Sequence, residues 1–257
     1  MSGGSFNRSN DPQYPATLGD FRLDKYEVTV GRFRVFVEAG QGTQVNPPGA
    51  WSGALPGVPT SGWNVAWSAN LAPDTATLKA TLEAGGDRTW TPAPMSTDNL
   101  PMNDVTWYEA FAFCAWDQGW LATEAQWNYA AAGGADQRVF AWSADPQAKE
   151  DCTQANDACT GVVLPVGSKS PQGDGKWGHS DLDGNVLERM MDTWATPYPL
   201  SSCSDCVYPG PGANAVARGG GYTDFYGSHW TTATRNNDYV GKGGRDPRVG
   251  FRCARAP

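Results

Sequence analysis

From Gln41 to Pro101, and again from Pro171 to Gly178, the chain passes through Pro, Gly and Ser so often that no long helix or strand can persist. Loops of that length are uncommon in compact domains, so something must hold them in place. The chain supplies 12 Trp, with aromatics at 12% of residues, alongside 31 Gly and 19 Pro among 257. A disordered chain lacks that aromatic content, and a helical bundle or coiled coil cannot carry that many breakers. What remains is a loop-rich globular domain with short helices and strands, its irregular connections pinned by buried Trp. Composition does not break at mid-chain and no repeat appears. The chain therefore reads as one domain over residues 18–257, preceded by an N-terminal extension over 1–17.

Nineteen basic and 27 acidic residues with two His give a net charge of −8. Without a basic surface to displace counterions from phosphates, nucleic acid is not an expected partner. Surplus carboxylates and loop carbonyls favour a hard cation instead. No apolar run reaches membrane-spanning length and no signal-like apolar stretch opens the chain, so no membrane span is expected.

Six cysteines stand at 114, 152, 159, 203, 206 and 253, which allows 15 pairings. A zinc site at Cys203-Ser204-Asp205-Cys206 would need a second CxxC or a His pair, and neither is present. Three disulfides, and hence an oxidising compartment, are the expectation: secreted, periplasmic or cell-surface. Met1 followed by Ser-Gly-Gly-Ser then reads as a start placed after a removed leader.

Three segments combine helical period with end signals. Over Thr29–Ala39, Phe33, Phe36 and Val37 share a stripe that stops at Gly40. Thr106 and Glu109 form a capping box before a stripe of Ala110, Phe113 and Cys114, ending at Gly119; Thr123 and Gln126 form a second, before Trp127 and Ala130, ending at Gly133. Strands are expected over 21–27, 162–166, 216–218 and 249–252.

Six motifs then fall in order: Phe21 to Thr29 (FRLDKYEVT), Val105 to Ala110 (VTWYEA), Leu121 to Trp127 (LATEAQW), Gly184 to Glu188 (GNVLE), Arg218-Gly219-Gly220, and Gly250-Phe251-Arg252-Cys253. Together they resemble the formylglycine-generating enzyme family, the sulfatase-modifying factor domain, from about residue 18 to 255. The resemblance implies an α+β domain of C-type lectin kind, with two or three helices around small antiparallel sheets. It also implies a disulfide between Cys114 and Cys253, leaving Cys152 with Cys159 and Cys203 with Cys206. Closing so long a loop removes denatured-state entropy on the order of 4 to 5 kcal/mol.

The resemblance further implies Ca2+ held by Asp181, the carbonyls of Gly184 and Val186, and Glu188. Independently, a tight turn with Asp181, Asp183, Asn185 and Glu188 can converge oxygens at about 2.3 to 2.6 Å on a hard cation. An EF-hand fails because its loop glycine would fall on Val186. The bland alternative is that Asp183 and Asn185 only cap a turn. Asn156 corresponds to part of a second family calcium site, but its loop here is short and Cys-clipped.

Copper is not expected. Oxidase members hold Cu(I) between two cysteines shortly after the RGG motif; here Asp224 and His229 occupy those positions, so both soft ligands are lost. The sulfoxide-synthase branch needs a three-His iron site on an additional helical domain, which two His cannot build. The two Trp flanking the calcium-binding Glu in the family are Leu187 and Arg189 here, the latter either part of a new site or a surface cation paired with a carboxylate.

Two functional readings follow. The first is a calcium-stabilised module binding a small molecule, peptide or glycan through Tyr222, Phe225, Tyr226, Trp230 and Arg235. The second is a Ca2+-dependent hydrolase of phosphoesters or carboxylic esters, with His229 as general base and Asp224 orienting it; His179, beside the calcium turn, is a weaker candidate. Formylglycine generation ranks last. No GxSxG elbow, Walker loop, HExxH or Rossmann pattern occurs.

Overall fold

In the computed structural model, residues 1–149, 151–223, 231–238 and 240–257 are described. Four α-helices are seen among them. α1 (Val30–Glu38) starts at Thr29, whose hydroxyl accepts from the Arg32 N–H. α3 (Trp107–Trp116) and α4 (Glu124–Ala132) each begin with the expected capping box, at Thr106/Glu109 and Thr123/Gln126. α4 stops at Gly133, whose φ of 67° satisfies the left-handed terminus that glycine adopts at low cost. The Ala110–Phe113–Cys114 stripe is too narrow, because Trp107, Phe111 and Ala112 are buried as well. α3 is buried on nearly all sides and runs through the centre of the domain.

α2 (Thr75–Glu83) lies inside the long Pro/Gly segment and was not expected there. Asp74 caps it, accepting from Thr77 N–H, and Leu78 and Leu82 bury its inner face. The rest of that segment is held as composition implies. Trp63 is fully buried, and Trp67 packs edge-on against it and against Trp107, with Phe111 beside both.

The strands form three small sheets. β1 (Gly4–Asn7) and β2 (Pro15–Leu18) pair antiparallel, and β6 (Cys203–Ser204) joins β2 in parallel. Residues 4–18 are thus packed onto the domain, with Phe6, Ala16 and Leu18 buried. β10 (Cys253–Arg255) lies between β3 (Arg22–Leu23) and β4 (Trp120–Leu121). The largest sheet orders β8 (Asn236–Asn237), β7 (Ala215–Arg218), β5 (Leu187–Thr193) and β9 (Val249–Gly250), with β5 and β9 parallel. The α+β architecture is as expected.

Of the expected strand over 21–27 only Arg22–Leu23 qualifies, and 162–166 forms none. There the side chains of two asparagines replace a partner strand: Asn156 Nδ2 donates to Val162 O (2.9 Å) and Leu164 N–H donates to Asn185 Oδ1 (3.0 Å). All six cysteines are bonded, as Cys114–Cys253, Cys152–Cys159 and Cys203–Cys206. The first ties α3 to β10 across 139 residues of sequence. Among the described residues no helix is long and apolar enough to cross a membrane.

Candidate functional site: a buried acidic turn beside the RGG strand

Central strand β5 delivers Glu188 into the interior, and the end of β9 leads to Arg252 beside it. Both side chains are fully buried. The guanidinium grips the carboxylate in a fork, Nε to Oε2 at 2.6 Å and Nη2 to Oε1 at 2.7 Å. Its remaining hydrogens go to the carbonyls of Asp24, Lys25, Ser180 and Asp181 at 3.1 to 3.3 Å. Arg252 therefore fastens the GFRC segment to the turn over 181–188.

That turn is as tight as its sequence implies. Asp181, Gly184 and Asn185 have φ of 58°, 92° and 64°. A side chain at Gly184 is excluded on a second count, since a Cβ would lie 2.8 Å from the Asn156 backbone. Asp181 Oδ2 accepts from Gly167 N–H at 2.5 Å, and Asp183 Oδ2 from Ala141 N–H at 2.6 Å. A fourth carboxylate arrives from outside the turn: Glu27 accepts from Asn185 Nδ2 (3.1 Å) and from Val186 N–H (3.3 Å). Sequence reasoning missed Glu27, although it sits within the FRLDKYEVT motif.

Burial dominates the electrostatics here. It raises the Glu27 carboxyl well above the ordinary range, reinforced by the nearby Asp181 and Glu188 charges. Asp181 is pushed up to about 6 and Asp183 to about 7, chiefly by desolvation. Glu188 is also raised by burial, against the pull of Arg252. Adjacent His179 is lowered to about 4 by burial and by the Arg252 charge, which keeps it neutral.

Glu27, Asp181 and Glu188 set three carboxylates against one guanidinium, Arg252. The four oxygen donors named by the sequence, Asp181, Gly184, Val186 and Glu188, lie in one turn and are all hard ligands. In atom type and charge they fit a divalent cation such as Ca2+. Glu188 could serve only through the lone pairs that Arg252 leaves, since each carboxylate oxygen carries two. The single grouping of three metal-type side chains among the described residues, Asp24, Asp117 and Cys253, is not such a site. Its two carboxylates pair with Arg32 and Arg255, and Cys253 is in a disulfide.

The stretch after Arg218-Gly219-Gly220 leaves from this turn. Tyr222 is buried, and its N–H donates to Asn185 O at 3.0 Å. It also lines a cavity of about 180 Å3 together with Arg88 and Val162. Asp224, Phe225, Tyr226, His229 and Trp230 lie outside the described residues. Arg235, at the far end, meets an internal anion: Glu124 is 3.7 Å away, and the guanidinium stacks over Tyr198 at 3.8 Å. Glu124 is also held by Arg218 of the RGG motif and by the Tyr198 hydroxyl. Thus Tyr222 joins the acidic turn over 181–188, whereas Arg235 belongs to the Glu124 cluster.

Arg189, placed where the family has a Trp, is no surface cation. It is fully buried on β5, pairing with buried Asp238 at 3.0 Å and donating to Gly244 O at 3.1 Å. Alternation along the strand sends Glu188 and Arg189 to opposite faces, so the two buried ion pairs lie on either side of the sheet.

This fold and its Glu–Arg-fastened turn define a class, and the sequence comparison agrees. The whole chain, residues 1–257, matches the sulfatase-modifying factor enzyme 1-like domain, and it belongs to that family. It is 32% identical over 264 residues to the formylglycine-generating enzyme of Streptomyces coelicolor, covering 95% of this chain and 80% of that protein. The corresponding enzyme of Thermomonospora curvata is 27% identical, over 96% and 85%. Among solved structures, PvdO from Pseudomonas aeruginosa shares the fold with a TM-score of 0.65 at 19% identity, covering all of this chain and 93% of that one.

Proposed function

We propose that this chain is an extracytoplasmic, calcium-stabilised member of the formylglycine-generating enzyme family that binds a ligand and does not oxidise cysteine. The observation that carries the reading is the fate of the cysteines: all six are consumed in three disulfides, so no thiolate pair is left for Cu(I). Three disulfides also support an oxidising compartment. Asp181, Gly184, Val186 and Glu188 would hold Ca2+. When bound, the ion supplies positive charge to a turn that carries more buried carboxylate than guanidinium. The turn holds Tyr222 through Asn185 O, and Tyr222 lines a cavity with Arg88, which supports a ligand site that begins at this residue.

The ligand class is a small molecule, peptide or glycan gripped by the aromatic residues of that stretch. Metal analysis of purified protein should return one Ca2+ per chain after dialysis against metal-free buffer. Ligands found by screening should bind less tightly to Trp230→Ala. Copper-dependent oxidation of a cysteine-containing peptide would overturn the proposal. Ester or phosphoester turnover that is lost in chelator and in His229→Ala would replace it with the hydrolase.

A further inference from the structure

At the opposite end of α3 from the Thr106 cap, the loop after α1 and the loop 46–52 enclose a cavity of about 200 Å3. It is smaller than the roughly 300 to 1,000 Å3 typical of drug-sized ligands, so it admits about one ring. Phe36 and Trp116 form its aromatic wall, their ring centroids 5.5 Å apart. Trp116 keeps 36% of its surface exposed in a domain that buries most of its other aromatics.

Glycines shape this cavity. Gly42 has φ of 70°, and a Cβ there would lie 2.4 Å from the Phe36 ring. Gly53 has φ of 67°, and a Cβ there would meet the Ala115 methyl at 2.9 Å. Both allow loop backbone to close on helix side chains without filling the space between them.

The polar groups in the cavity select the ligand. None of the described lining side chains is charged, so an ion finds no counter-charge there. Asn46 Nδ2 is committed to Gly40 O at 2.9 Å and Gln41 Nε2 to Ala39 O at 3.4 Å. Each amide therefore keeps its carbonyl oxygen to accept and one N–H to donate, and Ser52 adds a hydroxyl that can do either. A purely apolar ligand would leave these groups unpaired, and a proline-rich peptide has no N–H on its prolines to offer them. A ring with an apolar C–H face for Trp116 and Phe36, and hydroxyl donors around its edge, satisfies both walls.

We infer that this cavity is a binding site for a neutral monosaccharide unit, free or at the end of a glycan, and that it works without calcium. It is independent of the site over 222–235. A single ring of this kind binds with a dissociation constant of about 1 mM, given the efficiency of small polar ligands.

The test is saturation-transfer NMR on the full chain with glucose, galactose, mannose and N-acetylglucosamine, each in calcium and in chelator. The expected result is saturable binding of at least one sugar, equal in both buffers and weakened about tenfold or more by Trp116→Ala. Because Trp116 also packs on Phe113, Ser52→Leu provides a second variant that fills the cavity from the loop side and should abolish binding in a folded protein. No saturable binding of any of the four sugars overturns the inference, as does binding that survives Ser52→Leu. Binding lost in chelator would also overturn it, moving the sugar to the calcium turn. Tighter binding of a polyproline peptide than of any of the four sugars would overturn it as well, since the cavity would then read peptide backbone rather than hydroxyls.

Discussion

Replacing Glu188 by Gln tests the centre of the site, because the structure separates two roles for that carboxylate. Glu188 and Arg252 are both inaccessible and joined by two short charge-assisted bonds. Gln retains one acceptor but turns an N–H2 group toward a guanidinium hydrogen, and it removes the charge facing Arg252. Breaking a buried pair in this way costs about 3 to 5 kcal/mol. With 1 kcal/mol shifting the melting temperature of a chain this size by roughly 2 to 4 °C, the variant should melt on the order of 10 °C lower, even in chelator. Calcium adds a second difference. At a hundredfold excess over its dissociation constant, the proposed ion would stabilise wild type by about 2.7 kcal/mol, and the variant should lose most of that gain. Differential scanning calorimetry in chelator and in calcium measures both gaps. A loss below about 1 kcal/mol in chelator would refute the ion-pair reasoning. Equal losses in the two buffers would refute Glu188 as a calcium ligand.

Two further outcomes are expected. Asp192 is buried, and desolvation with the nearby Glu124 charge raises it to about 6. The folded chain thus binds a proton that the unfolded chain has lost between about pH 4 and 6, and this group adds stability as pH falls. In urea melts the stability of wild type relative to Asp192→Asn should grow by about 1 kcal/mol from pH 7.5 to 5, and a flat difference would refute the assignment. Non-reducing peptide mapping should recover Cys114 linked to Cys253 with no free thiol, and the paired Ser variant should lose on the order of 4 kcal/mol.

Much of the local structure was legible because it depends on neighbours in sequence. The capping boxes at Thr106 and Thr123 and the glycine stop at Gly133 each involve residues a few positions apart, and each forms as read. The turn over 181–188 is legible for the same reason, since Gly184 and Asn185 adopt the left-handed backbone that those residue types permit. The long-range disulfide was readable only through the family resemblance, because six cysteines alone allow 15 pairings.

Tertiary structure decided what those local pieces face. Glu188 could be read as a metal ligand, but its grip on Arg252 spans 64 residues and depends on β9 lying parallel to β5. Glu27 joins the acidic turn from 158 residues away, through Asn185. Arg189 could be a surface cation or part of a site by sequence, and β5 places it in the core opposite Asp238. Residues 162–166 have the composition of a strand, yet Asn156 and Asn185 take up backbone groups that a ladder would have used. The cavity at Trp116 depends on Gly42 and Gly53 bringing loops against α1 and α3, an approach that sequence spacing does not encode. A side chain's local conformation follows from its neighbours in the chain, whereas its charge partner and its burial follow from packing, which brings together residues the sequence keeps far apart.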